Sequence, residues 1–232
     1  MTDFYGFERL DFEFEGMPAI LVKPEKPNGK WLFKTEYFGA FPEFEVECLK
    51  LGYHVANIKN STRWHKDEDT ERAKRFCEYL SESFGLAEKC MTVGMSCGGM
   101  HAIYLAAKYP EKVAAMYLDA PVVDLLSCPG NSPYYEESVN ATGMTREMLK
   151  TYKNHPKDHI GELVENKVPI FLIAGDSDTI VPFCENGKFI ADAYEKTDIP
   201  FVKVIKKGCN HHPHGLDDNT PIVEFMKKHY GE

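Results

Sequence analysis

From residue 53 onward the chain alternates short apolar runs with longer amphipathic ones, and that rhythm calls for a mostly parallel sheet with helices on both faces. "YHVANI", "CMTVGM", "KVAAMYLDAP", "VPIFLIAGDSD" and "PFVKVIKKG" read as strands, each a brief apolar run bounded by turn residues. Between them, "DEDTERAKRFCEYLSESFG", "GGMHAIYLAAKYP", "CENGKFIADAYEKT" and "TPIVEFMKKHYG" read as helices, with glycine or proline at their stops. Ahead of this region, "FERLDFEFEG" and "MPAILVKP" predict an antiparallel pair turning at Glu15-Gly16. "KWLFKTEYF" follows as a strand and "PEFEVECLKLG" as a short helix. Residues 121–166 break the rhythm with prolines, glycine and a tyrosine pair, and predict one short helix around Thr145 to Lys153. That segment reads as a cap-like insertion over the carboxyl edge of the sheet, where open α/β sheets bind ligands. The fold expected is therefore α/β, as a single domain over residues 1–232 with the insertion inside it.

Within this frame, Gly94-Met95-Ser96-Cys97-Gly98 stands where a strand passes into a helix, the context that a G-x-S-x-G nucleophile turn requires. Ser96 and Cys97 are both nucleophilic residue types, but the central residue of the turn takes the exposed apex, and that is Ser96. Side chains two positions to either side would collide with the neighbouring strand and helix. Cys97 contributes its backbone N–H, which opens the helix and can donate to an oxyanion.

A serine hydroxyl is a poor nucleophile near neutral pH and needs a base, which needs an orienting carboxylate. The run "IFLIAGDSDTIVP" offers Asp176 and Asp178. Asp178 lies in the loop past the strand and is the expected acid; Asp176 is placed to brace the turn through backbone amides. The last strand leads into "KKGCNHHPHGLDD", which carries His211, His212 and His214. Histidine titrates near working pH and suits the role of base. His211 has the expected offset from Gly208, with His212 the alternative base. A metal reading of the His-His-x-His run is set aside. Adjacent His211 and His212 are expected to point apart, and no Glu-x-x-His or Cys-x-x-Cys partner accompanies them, so neither metal nor cofactor is expected.

With nucleophile, acid and base in the chain order Ser, Asp, His, the whole sequence resembles an α/β-hydrolase. More narrowly, "TEYFGAFPEFEVECLKLGYHVA", "GMSCGGMHAIYLAAKYPEKVAAMYLDAPV" and "HHPHGLDDNTPIVEFM" resemble bacterial serine esterases linked to carbohydrate degradation. The resemblance implies that Ser96, His211 and Asp178 cleave a carboxylic ester, such as an acylated sugar, through an acyl-enzyme. Many members carry His-Gly after the third strand, where an amide completes the oxyanion hole. Here "KTEYFGA" stands in its place, and the second donor is the amide of Glu36 or Tyr37. In the narrower group an arginine follows the serine; this chain has Cys97.

Trp64 and His65, after a strand on the ligand-binding edge, and Tyr134 and Tyr135, in the insertion, are candidate pocket walls in a chain whose residues are 12% aromatic. The net charge of -9 argues against nucleic acid and anionic lipid as partners. No apolar run reaches membrane-spanning length, and the N-terminus lacks a secretory pattern. Seven scattered cysteines without a Cys-x-x-Cys pair fit free thiols in a cytoplasm. The expected partner is a small-molecule ester, and a homodimer stands open. Other readings of the same chain are a thioester or lactone hydrolase, a small peptidase, and an inactive hydrolase-fold binding protein. The peptidase ranks below the esterase because no propeller or large second domain accompanies the catalytic unit.

Overall fold

Nine strands join in one sheet, in the order β1-β2-β3-β5-β4-β6-β7-β8-β9. The computed structural model describes residues 2–230. In chain order the elements are β1 (Thr2–Phe4), β2 (Phe7–Phe14), β3 (Met17–Lys23), β4 (Trp31–Lys34), α1 (Glu43–Lys50), β5 (His54–Ile58), α2 (Asp67–Phe84), β6 (Cys90–Met95), α3 (Cys97–Lys108) and β7 (Val113–Asp119). They continue with α4 (Pro133–Thr142), α5 (Arg146–Thr151), α6 (Ile160–Glu165), β8 (Ile170–Gly175), α7 (Gly187–Tyr194), β9 (Phe201–Lys206) and α8 (Thr220–Tyr230). β1 to β3 run antiparallel and meet β5 antiparallel; every pairing among β4 to β9 is parallel. The α/β-hydrolase fold expected from the sequence is therefore present, with helices on both faces.

The two faces follow from the pleat. Successive side chains of a strand point to opposite sides, so Leu21 joins one core and Val22 the other. The first core packs Phe76 and Leu80 of α2, Ile103 of α3, Leu163 of α6 and Ile190 of α7 against one side of the sheet. The second packs Phe44 and Leu49 of α1 with Ile222, Phe225 and Met226 of α8 against the other. β5, β6 and β8 are buried at every position, which is why they read as continuous apolar runs. β9, at the sheet edge, has no fully buried position and leaves Val202, Lys203 and Ile205 exposed.

Residues 121–166 hold more structure than their sequence suggests. Only α5 lies where a helix was expected; α4 and α6 are additional. α4 begins at Ser132-Pro133, where the serine hydroxyl accepts from Tyr135 N and the proline occupies the first turn. That pair is a helix start, and among prolines and tyrosines it passes for loop. A small third core joins this segment, through Val122, Leu125 and Leu149, to Trp64, Cys97 and Met100. Asn186 Oδ1 accepts from the amides of Val123 and Asp124, fastening the start of the segment to α7.

The strand order also fixes where a site can form. β5 lies on one side of β4 and β6 on the other, so the connections leaving their carboxyl ends diverge. A crevice opens at such a switch point. The Thr35–Tyr37 loop after β4 and the Ser96 turn after β6 border it.

Candidate active site

Ser96 adopts φ 53°, ψ −122°, a conformation that costs a non-glycine residue energy and raises its side chain clear of the sheet. The turn is held by Ser96 N donating to Asp119 O and by Gly99 N and Val122 N donating to Ser96 O. Its tightness explains the glycines. A Cβ on Gly94 would lie 2.7 Å from Gly99 Cα, and one on Gly99 would lie 2.3 Å from Pro121 Cβ. The Gly99–Pro121 contact is the tightest of these, and the G-x-S-x-G pattern alone does not reveal it.

Two distant loops converge on Ser96. His211 Nε2 lies 3.0 Å from Ser96 Oγ, and His211 Nδ1 lies 2.8 Å from Asp178 Oδ2. Asp178 Oδ1 accepts from the amides of Ile180 and Val181, each at 2.8 Å. Burial alone would raise the Asp178 pKa, but the bonds from His211 and the two amides outweigh it and hold the carboxyl below its ordinary value. An ionised Asp178 accepts at Nδ1–H, which leaves the Nε2 lone pair for the serine hydroxyl. Asp176 does the bracing expected of it, accepting from Gly208 N at 2.7 Å. His212 is exposed and stacks on Phe41, with ring centroids 5.4 Å apart; the ring over Ser96 is that of His211.

Cys97 opens α3 at the Ser96 turn. Burial pushes its thiol up to about 11, so it stays protonated near neutral pH and is a poor nucleophile. Of the two candidate residues after β4, Tyr37 lines the pocket around Ser96. Glu36 lies behind it, where its amide nitrogen would be 3.4 Å from a Cβ on Gly98, and its carboxylate accepts from Asn60 Nδ2. Tyr37 has φ 55°, and its amide makes only a long 3.4 Å contact to Glu36 Oε1. Thr35 Oγ1 lies 2.7 Å from Gly98 O, and the buried Lys34 ammonium donates to Glu45 Oε1 and Ala40 O. The Thr35 contact fixes the loop against the start of α3, and the Lys34 bonds tie β4 to Ala40 of the loop and to α1.

The pocket has a volume of about 240 Å³. Trp64 and Tyr134 line it, as the sequence suggests. Tyr135 does not. One residue further along α4 turns a side chain by about 100°, and its hydroxyl instead accepts from Arg146 N at 2.6 Å, tying α4 to α5. His65 also faces another cavity, stacked on Tyr104 at 3.7 Å, and burial pushes its pKa down to about 3.

Two features escaped the sequence reading. Arg63 lines the pocket beside the Tyr134 ring and pairs in bidentate fashion with Glu137 of α4. A second buried pair, His214 Nδ1 with Asp119 Oδ1 at 2.9 Å, stands beside the first. The expectation that His211 and His212 point apart is corrected as well. All three histidine rings of the loop lie with centroids 4.8–5.0 Å apart, with His211 held by Asp178, His214 by Asp119 and His212 stacked on Phe41. All seven cysteines are free, and among the described residues no helix is long and apolar enough to cross a membrane.

The mouse (Mus musculus) acylamino-acid-releasing enzyme is 24% identical over 212 residues, covering 75% of this chain and 27% of that enzyme. The chain thus spans about a quarter of the length of that relative. A puromycin-hydrolyzing peptidase of Mycobacterium tuberculosis superposes with TM-score 0.69 at 16% identity, over 89% of this chain and 36% of the other. An α/β-hydrolase from the metagenome of Mar Chica lagoon sediments in Morocco superposes with TM-score 0.60 at 15% identity, over 94% and 98%. These two likenesses show the fold. A family model goes further, matching residues 59–232, the stretch that runs from the carboxyl end of β5 through the nucleophile turn, acid loop and histidine loop. By that match, over most of its length, the chain belongs to the prolyl oligopeptidase family.

Proposed function

We propose that this chain is a serine hydrolase that cleaves small carboxylic esters through an acyl-enzyme. The observation that carries the reading is the continuous line Asp178–His211–Ser96, with heavy-atom separations of 2.8 and 3.0 Å, on the wall of a pocket. Ser96 Oγ attacks the carbonyl carbon as His211 Nε2 takes its proton, and the amides of Cys97 and Tyr37 hold the oxyanion. His211 then returns the proton to the leaving alcohol, and water releases the acyl group by the same route.

Substrate choice follows from the lining. Among the described residues the pocket walls include Phe41, Trp64, Val122 and Val181, a cation at Arg63, and no carboxylate. A substrate with a free ammonium group would find no counter-charge there, whereas a neutral acyl group fits. The segment 121–166 serves as the cap, with Tyr134 at the pocket edge. An acylated sugar is the ester class to test first.

A second reading, a peptidase, is favoured by the family match and by the names of two relatives, the acylamino-acid-releasing enzyme and the puromycin-hydrolyzing peptidase. The same triad cleaves amides, and the lack of a carboxylate in the pocket points that reading to N-blocked peptides. Hydrolysis of 4-nitrophenyl acetate, acetylated oligosaccharides, and free and N-acylated aminoacyl anilides, with Ser96→Ala as control, separates the two. Ester turnover without anilide turnover supports the esterase. Faster cleavage of the N-acylated anilide overturns it in favour of the peptidase. Failure of a fluorophosphonate to label Ser96 overturns both.

A further inference from the structure

The histidine loop contains more imidazole than a triad uses. One ring nitrogen from each of His211, His212 and His214 lies within 4.8 Å of the other two, and all three residues line the pocket at Ser96. We propose that these histidines form a binding site for a zinc-like divalent ion, and that the bound ion switches the hydrolase off.

The support comes from what stands behind the rings. His211 Nδ1 is held by Asp178 and His214 Nδ1 by Asp119, both pairs buried. A histidine that ligates a metal almost always has its other nitrogen on a carboxylate or carbonyl, which fixes the tautomer and strengthens the donor. Here that outer partner exists twice. Each carboxylate takes the Nδ1–H, so both Nε2 atoms carry lone pairs without loss of a proton. His212, exposed and stacked on Phe41, supplies the movable third ligand. A tetrahedral ion with metal–nitrogen bonds of about 2.0–2.1 Å needs its ligand atoms about 3.3 Å apart. A swing of the exposed His212 ring with slight tilts of the other two closes the remaining gap. The two carboxylates balance the charge of a dication. Ligand type sets the selectivity: imidazole suits zinc, nickel and copper, while magnesium prefers oxygen.

Binding has a defined consequence. His211 Nε2 either accepts the Ser96 proton or ligates the ion, since it has one lone pair for both. The occupied site therefore lacks its base. That consequence rests on the hydrolase reading above; the binding itself does not.

Calorimetric titration of the full chain with zinc chloride, and with magnesium chloride for comparison, tests the site independently of turnover. The expected result is one zinc per chain, no magnesium binding, and affinity weakened at least about tenfold in His212→Gln, an exposed position whose change does not disturb the core. Asp119→Asn, which removes an outer partner, is expected to weaken zinc about 10–100-fold. Cobalt added to the parent is expected to give a visible spectrum of nitrogen ligation without a thiolate charge-transfer band. Equal zinc affinity in parent and His212→Gln overturns the proposal, as does absence of binding. A thiolate band overturns it too, by moving the ion to a cysteine such as the exposed Cys184. If zinc binds as described and ester hydrolysis by the parent continues undiminished, the switch is overturned and the site alone stands.

Discussion

Two histidine–aspartate pairs stand side by side in this protein, their imidazole rings 4.9 Å apart, and only one of them faces a hydroxyl. In each, a buried carboxylate holds Nδ1 at 2.8 or 2.9 Å and is steadied by a backbone amide. In each, burial works against ionisation and the histidine bond helps to overcome it, so both carboxyls sit below their ordinary pKa. What differs is the far side of the ring. His211 Nε2 meets Ser96, which the strained turn holds out into the pocket. Asp119 is the last residue of β7, and its second oxygen takes Gly215 N and Tyr117 OH. The second pair thus anchors the histidine loop to the sheet. A histidine–carboxylate pair is a way of fixing an imidazole, and the third partner decides whether it carries out chemistry.

The largest expected effects fall on the first pair and its serine. Ser96→Ala or His211→Ala is expected to lower turnover of 4-nitrophenyl acetate about 10⁶-fold. Asp178→Asn, which keeps the shape but misplaces the tautomer, is expected to cost about 10⁴-fold. Retention of most activity in Asp178→Asn would break the comparison, because Asp178 would then be no more than an anchor. Gly98→Ala sharpens it by leaving both pairs intact. The added Cβ would lie 3.2 Å from Glu36 Cβ and press the Tyr37 loop away from the start of α3. Loss of one oxyanion donor lowers kcat by about 10²–10³-fold, and kcat of this variant is expected near the smaller figure, with unchanged fluorophosphonate labelling.

How much of this was legible depended on whether neighbours in space were also marked by pattern. The strands β5, β6 and β8 announce themselves because both faces are buried, and Ser96, Asp178 and His211 because each follows a strand in a fixed order. Asp119 and His214 are equally buried, yet nothing local pairs a strand-end aspartate with a histidine ninety-five positions later. Arg63 hides for the same reason, since its partner Glu137 sits on α4, a helix of the insertion that begins among prolines and tyrosines and shows no helical pattern. The order β5-β4-β6, which opens the crevice, pairs strands that are far apart in the chain and leaves no mark in any one segment.

Asp119→Asn tests the anchor. Breaking a buried pair costs about 3–5 kcal/mol, which for a chain of this size lowers Tm by roughly 10 °C, while kcat is expected to change less than about tenfold. The sign with pH follows from the lowered pKa. The ionised Asp119 stabilises the fold above the unfolded carboxyl pKa of about 3.9, and that contribution fades as pH falls through the lower folded value. The deficit of the variant is therefore full at neutral pH and narrows in acid. A variant as stable as the parent but inactive would place His214 in the chemistry and erase the distinction between the pairs.

The smallest effect is expected at Arg63–Glu137, an ion pair whose side chains are 30% and 44% exposed. Water screens such a pair, and exposed pairs contribute about 0–1 kcal/mol, so Glu137→Gln should leave Tm within a degree or two of the parent. The guanidinium still lines the pocket after this change, but it loses the partner that holds it to α4. KM for a neutral ester is then expected to shift a few-fold with kcat unchanged, whereas an ester bearing a carboxylate should bind tighter, because the freed cation offers it a counter-charge. Steady-state kinetics on a neutral and an anionic ester of equal length reads the difference. A fall in Tm as large as that of Asp119→Asn would mean that the cap depends on this pair, and that exposure does not separate anchors from latches in this fold.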